Sequence, residues 1–357
     1  MPPVSLKGKE RAVNEDDLNP VITYRHLLTS RMGVLDPLRV VALCDLDAFY
    51  AQAECVRLKL DPDVPLAVQQ WQALIAVNYP ARTYGITRME TAAEAQKKCP
   101  NLVLVHTATY KEGEAEAAYH SDPKPDTHKV SLDHYRRESM KILKTYQACM
   151  EPGVEVEKAS IDEAFFDFTA PVKAAIIARY PYVAQVPTGA PNGLDTPLPN
   201  PPQISWDSLG NLVPLHQSAT NTNEPEPTEK TSEQGETPLS TSSIHPGNNA
   251  TEEANLTWHD VALSIAAEFM KKMKQEVKDQ LGYTTTAGIA RNKMLSKLVA
   301  SYKKRDQQSI LRNAVIPHYL RPMDFQKIRF LGGKLGSALA DEFGAKTVGD
   351  VLNVSLG

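Results

Sequence analysis

The residues of this sequence best suited to chemistry lie in two acidic clusters far apart in the chain. Asp45 and Asp47 stand in VVALCDLDAFY (40–50), and Asp162 and Glu163 stand in VEVEKASIDEAFFDFT (154–169). A carboxylate where a buried strand emerges costs several kcal/mol unless solvent, hydrogen bonds or a cation stabilise it. Asp45 sits at such a point, and Asp47 is placed to cap a helix beginning near Ala48. Taken alone, this D-x-D reads equally as two capping or turn aspartates. The second cluster falls at the tip of a predicted hairpin, where an ordinary turn would use Asn, Gly or Pro, and none is present. Asp162 and Glu163 are adjacent, so they share a site only if the backbone bends there.

Three carboxylates facing one another repel, and hard divalent cations remove that penalty. Mg²⁺ suits carboxylates combined with substrate phosphates. Two such ions about 3.5–4 Å apart could activate a hydroxyl and stabilise a leaving pyrophosphate in an in-line displacement. Groups for the phosphates are also present. In NYPARTYG (78–85), Asn78 is an N-cap candidate, Pro80 fits a first helical turn, and Gly85 ends the helix after about two turns. Such a helix start offers free N–H groups to an anion, with Tyr79 and Arg82 beside it. In RNKMLSKLVASY (291–302), Lys293 and Lys297 share a helix face, and Lys303, Lys304 and Arg305 continue the basic character. These parts fit nucleotidyl transfer, with cyclases and several polymerase classes still open.

The apolar run 40–44 reads as a strand buried on both faces, followed by a helix over 48–60 that Asp61-Pro62 ends. Short strands are predicted at 66–68, 74–77 and 101–106, and a capping box Thr91-x-x-Glu94 opens a helix that Pro100 closes. Residues 111–130 read as a polar loop and 132–150 as an amphipathic helix. The long apolar periodicity of 258–281 predicts a helix, 283–289 a Thr-rich strand, and 291–302 a further helix. In KIRFLGGKLGSALADEFG (327–344), Gly332, Gly333 and Gly336 with Lys327, Arg329 and Lys334 suggest a helix–hairpin–helix whose amides approach a phosphate chain.

With 357 residues, 42% of them hydrophobic, the chain can bury a sizeable core. The net charge of −4 gives no global nucleic-acid signature. Positive charge is instead concentrated towards the C-terminal part. The four cysteines form no C-x-x-C pair and read as buried thiols of a reducing compartment. No signal-like or membrane-length apolar run is present.

DLDAFYAQAE, AVQQW, IAVNYPARTYGITR, KCPNLVLV, YRRES, ASIDEAFFDFT, GIARNKMLSKLVA and FLGGKLG occur in the order found in Y-family translesion DNA polymerases. The chain resembles that family over about 38–180 and 258–352. Gln70-Trp71, SIDEA and LGGKLG favour its eta branch over iota or kappa. The resemblance implies an α+β right-hand polymerase, with a palm built on a ferredoxin-like βαββαβ sheet (38–65, 131–180 and 258–301). Small fingers would span 66–130, and 302–357 would hold part of a helical thumb. It implies that Asp45, the Leu46 carbonyl, Asp162 and Glu163 bind two Mg²⁺, with Mn²⁺ an alternative. Phe49, Tyr50, Tyr79, Arg82, Arg88 and Lys293 would hold the deoxynucleoside triphosphate, with Tyr50 as steric gate. Gln70 would touch the template base, and Gly332, Gly333, Lys334 and Gly336 the DNA backbone. The implied partners are primer–template DNA and dNTPs, the implied role is synthesis past ultraviolet-induced pyrimidine dimers, and the implied location is the nucleus, with no membrane.

Two segments depart from the family pattern. Residues 1–37 read as a flexible extension with one short helix near Tyr24–Leu28, and 181–257, rich in Pro, Ser, Thr, Asn and Glu, as a disordered insertion with strand or helix fragments near 204–213. The family's little finger is expected to lie beyond the chain, along with sliding-clamp and ubiquitin contacts. An alternative reading is a non-catalytic DNA-binding or scaffold remnant of such a polymerase.

Overall fold

The computed structural model describes residues 18–30, 33–215 and 256–352. In chain order its strands are β1 (Val41–Leu46), β2 (Leu66–Gln70), β3 (Ala73–Val77), β4 (Val103–His106), β5 (Thr109–Lys111) and β6 (His128–Val130), then β7 (Glu155–Lys158), β8 (Glu163–Asp167), β9 (Asn211–Leu212), β10 (Thr285–Ala290) and β11 (Gln308–Ile310). A six-stranded sheet runs β7-β8-β1-β10-β11-β9. The apolar run around Val41–Cys44 puts β1 at its middle, antiparallel to both β8 and β10. With the helices Asp133–Cys149 and Trp258–Leu281, the strands β1, β7, β8 and β10 make the expected βαββαβ arrangement of an α+β palm.

Side chains alternate across a strand, and β1 shows what each face covers. Ala42, Cys44 and Leu46 point into the main core under the helices Asp133–Cys149, Thr169–Arg179 and Trp258–Leu281. There Cys44 Sγ lies 3.1 Å from the Tyr146 hydroxyl. Val41 and Leu43 point the other way and pack with Phe165 and Ala300 at the end of the helix Lys293–Val299. That helix comes close to the sheet because β10 carries Gly288, where a Cβ would collide with the Ser296 carbonyl and the Ala300 backbone. Asp45 and Glu163 continue this second face.

A smaller sheet, β3-β2-β4, carries the helices Tyr79–Arg82 and Ala92–Lys98 over a core that includes Leu74, Val77, Ile86 and Leu102. Leu66, Val68 and Ala76 join it to the main core. The stretch read as a polar loop over 111–130 contains a two-stranded hairpin, β5 with β6. Its strands are too short for periodicity to reveal. After β11 the chain forms the helices Ile316–Leu320, Lys334–Phe343 and Val348–Leu352.

Two expectations of disorder are corrected in part: the short helix expected in the first segment is present at Tyr24–Leu28, and the fragment expected near 204–213 is β9, but more of both segments is ordered. Of the 1–37 extension, residues 1–17, 31 and 32 lie outside the described residues, but Ile22, Tyr24 and Leu27 are buried. Asp36 also forms a buried ion pair with Lys173 at 2.6 Å. Of the 181–257 insertion, 216–255 lie outside the described residues, whereas 181–215 are packed. Thr23 bridges Pro197, and Arg25 grips Asp195 at 2.6 and 2.9 Å. The Trp258 indole donates to the Pro199 carbonyl at 2.6 Å, and β9 adds a parallel edge strand to β11. Composition reports whether a segment can build its own core. This segment instead covers one that already exists, using a few anchors such as Val183, Leu198 and Val213. No helix among the described residues is long and apolar enough to cross a membrane.

Candidate active site

The register of the sheet sets Asp45 opposite Glu163 on one side and Thr286 on the other. The bend needed to bring Asp162 alongside is made by Ser160, the turn residue that a search for Asn, Gly or Pro misses. Its hydroxyl accepts from the Asp162 and Glu163 N–H groups at 3.2 and 3.0 Å and donates to the Asp162 carboxylate at 2.5 Å. The Leu46 N–H donates to the Asp162 carbonyl at 2.9 Å, closing the second acidic cluster onto the first.

Burial is the main cause that pushes the Asp45 carboxyl up to about 7, with Asp162, Glu163 and Asp47 adding like charge. Lys304, 3.8 Å from Asp45 Oδ2, works against that rise. Glu163 is held by Lys297, which donates to both of its oxygens at 2.6 and 2.8 Å. Lys293, expected at the triphosphate, pairs instead with Glu157 and lies 5.5 Å over the Phe165 ring. Of the two lysines on this helix, it is Lys297 that meets the acidic trio.

Asp47 does not cap the following helix. It is buried, accepts from the Thr286 hydroxyl at 2.6 Å and from the Asp306 N–H at 2.8 Å, and so ties β1 to β10 and to the chain entering β11. Ala48, in the left-handed region (φ 46°), turns the chain into the helix Phe49–Leu58 without a side-chain cap. The Phe49 ring is 3% exposed and packs among Tyr135 and Tyr283. The half-buried Tyr50 ring stacks on Tyr135 at 4.2 Å and 18°. Tyr135 is itself held by a hydroxyl bond to the buried Glu54 at 2.8 Å.

The helix Tyr79–Arg82 is one turn long, not two. Asn78 caps it, accepting from the Ala81 N–H at 3.0 Å, so that amide is already satisfied. What this element presents is side chains. The Arg82 guanidinium stands 4.7 Å from the Tyr79 ring centroid, and burial with Asp47 and Asp45 nearby pushes the Tyr79 hydroxyl up to about 12. Arg305, which the sequence reading left unassigned, also reaches this ring, at 5.7 Å. Arg88 is exposed, with its charge felt at the Tyr50 hydroxyl. Gln70 ends β2, next to a turn in which Trp71 is left-handed (φ 57°) and donates its N–H to His106 at 2.9 Å. Gly336 is buried against the Leu331 backbone, a packing role, whereas Gly332, Gly333 and Lys334 are exposed.

The donor set suits a hard divalent cation: oxygens only, like-charged and partly buried. Among the described residues, however, no three His, Cys, Asp or Glu side chains are gathered to hold a metal as they stand. The carboxylates of Glu163 and Asp162 are turned onto Lys297 and Ser160 instead.

The impB/mucB/samB family matches residues 44–301. The N-acetyltransferase eso1 of Schizosaccharomyces pombe is 42% identical over 320 residues, covering 90% of this chain and 33% of that protein. DNA polymerase eta of Saccharomyces cerevisiae is 33% identical over 317 residues, covering 85% and 47%. The chain thus spans less than half the length of these curated relatives. A solved structure described as "Dbh Ternary Complex (substrates partially disordered)" has the same fold, with a TM-score of 0.50 and 18% identity over 88% of this chain and 60% of that one. The sheet, the motif order and the match across most of the chain agree, and the chain belongs to the impB/mucB/samB family, homologous to DNA polymerases eta and iota.

Proposed function

We propose that this chain holds the catalytic core of a DNA-directed DNA polymerase that inserts deoxynucleotides opposite damaged template bases, pyrimidine dimers among them. The observation that carries the reading is the meeting of Asp45, Asp162 and Glu163 at one end of one sheet face, with Tyr79 and Arg82 alongside. Palm, fingers and thumb correspond in this reading to the large sheet, the small sheet and the helices after β11.

Asp45, the Leu46 carbonyl, Asp162 and Glu163 would hold two divalent cations, Mg²⁺ or alternatively Mn²⁺, which when bound lower the pKa of the attacking hydroxyl and stabilise the leaving pyrophosphate. Tyr79, Arg82 and Arg88 bind the triphosphate, and Lys293 can join them on leaving Glu157. Tyr50, fixed in orientation by Tyr135, presents an aromatic face to the sugar. Gln70 lies against the template base, and Gly332, Gly333 and Lys334 approach the DNA backbone. The partners are primer–template DNA and dNTPs, and the compartment is the nucleus.

Primer extension on undamaged and dimer-containing templates, with and without a chelator, tests this. Extension that needs a divalent cation supports the polymerase. DNA binding without extension would favour a scaffold, a reading that the Glu163–Lys297 pair makes worth separating.

A further inference from the structure

We infer that Arg305 is an additional triphosphate-binding residue, aimed at the nucleotide by a strained turn whose anchors are elsewhere. The inference rests on the polymerase reading above and adds a residue to its nucleotide site.

Arg305 and Asp306 are consecutive non-glycine residues in the left-handed region, with φ of 74° and 56°. Each is costly for an L-residue with a side chain, so the pair persists only where surrounding contacts impose it. Those contacts are clear, and none involves the Arg305 side chain. The Asp306 N–H donates to the buried Asp47 at 2.8 Å, and its carboxylate pairs with Lys278. The Gln307 carbonyl accepts from the Lys274 ammonium and from the Ala287 N–H, both at 2.9 Å. The turn is thus clamped from the core side while its two preceding cations are directed to the site. Lys304 reaches Asp45, and Arg305 reaches the Tyr79 ring.

Among the described residues, the remaining contact of the Arg305 side chain is weak. Asp63 Oδ1 lies 3.7 Å away on a side chain that is 88% exposed, and such pairs contribute little. The chemistry at Tyr79 calls for more. A triphosphate carries several negative charges, while Lys293 and Lys297 are already paired with Glu157 and Glu163. Arg82, anchored by its Nε–H to the Val77 carbonyl at 3.1 Å, is one planar donor at this ring. A second guanidinium on the same ring supplies the bidentate donor geometry that phosphate oxygens favour.

The test uses the full chain in single-nucleotide primer extension. Asn tolerates the left-handed region, so Arg305→Asn removes the charge while suiting the turn, and Arg305→Lys keeps the charge. Arg305→Asn should raise the KM for the dNTP about 10- to 100-fold, the range for losing a charged hydrogen bond. The kcat should change little, the melting temperature should match the parent, and Arg305→Lys should recover most of the KM. Arg305→Gly, which also fits the turn, should behave like Arg305→Asn. An active parent whose KM is unchanged in Arg305→Asn overturns the inference alone, as does equal loss in the Lys variant. A parent that extends no primer overturns the polymerase reading and this inference with it.

Discussion

Both carboxylate oxygens of Glu163 accept from the single ammonium of Lys297, at 2.6 and 2.8 Å. Lys304 stands more loosely by Asp45, at 3.8 Å. The two lysines stand as counter-ions to these carboxylates. In the polymerase reading proposed above, a divalent cation would compete with Lys297 for Glu163.

Lys297→Met should therefore tighten divalent-cation binding, by up to roughly tenfold for each 1.4 kcal/mol of competition removed. Because the pair is partly exposed, the metal-free protein should lose only about 1 kcal/mol or less. Calorimetric titration of the parent and the variant with Mg²⁺ reads both the affinity and its sign. Equal or weaker binding in the variant would refute the counter-ion role.

Asp162→Asn and Glu163→Gln should each abolish primer extension while the fold survives. The first removes like charge beside Asp45. The second leaves Lys297 without its carboxylate, at a cost of about 1 kcal/mol or less for a partly exposed pair. Circular dichroism and melting curves check the fold, and full Mg²⁺-dependent extension by either variant would remove these residues from the site.

Tyr50 lies flat on Tyr135, 4.2 Å between ring centres, so its ring has a fixed orientation. Tyr50→Ala should raise ribonucleotide incorporation by about 10- to 1000-fold, corresponding to roughly 1–4 kcal/mol of lost discrimination. Tyr135→Leu should shift selectivity the same way by a smaller factor, since it frees the gate without removing it. Selectivity unchanged in Tyr50→Ala would leave Tyr50 a packing residue only.

His259 is buried, and desolvation lowers its ring to about 4. A carbonyl can only accept, so Nε2–H donates to the Arg39 carbonyl at 3.1 Å, while Nδ1 is buried without a hydrogen-bond partner among the described residues. The folded state thus resists a proton that the unfolded chain takes up near pH 6.5. The stability this group contributes is complete above that pH and is lost as the pH falls towards 4, by about 3 kcal/mol. His259→Gln keeps a donor for Arg39 and should flatten urea stability between pH 7 and pH 4.5. An undiminished slope would place the acid sensitivity elsewhere.

Leu198 in the 181–215 segment is 9% exposed, and its N–H donates to the Ile22 carbonyl at 2.9 Å. Leu198→Ala should cost about 2–3 kcal/mol, the lower part of the range for buried leucines. A disordered segment would show no change, so urea midpoints of parent and variant decide between the two.

Local rules held for several elements. The apolar run before Asp45 became the central strand, Asn78 and Thr91 became the caps they were read as, and the period of 258–281 became one long helix. The order of the motifs identified the family. The tertiary structure decided what depends on partners distant in the chain. Asp47 turned from a cap into a bridge between Thr286 and Asp306. Of two lysines sharing a helix face, Lys297 met Glu163 and Lys293 met Glu157, a choice set by how that helix lies on the sheet. The proline-rich 181–215 stretch carries no period of its own, and it is ordered by a core that other segments build. Sequence patterns report the backbone preferences of a window and its own apolar face. Register across the sheet, the reach of a long charged side chain and the docking of an irregular strap are set by neighbours that the window does not contain.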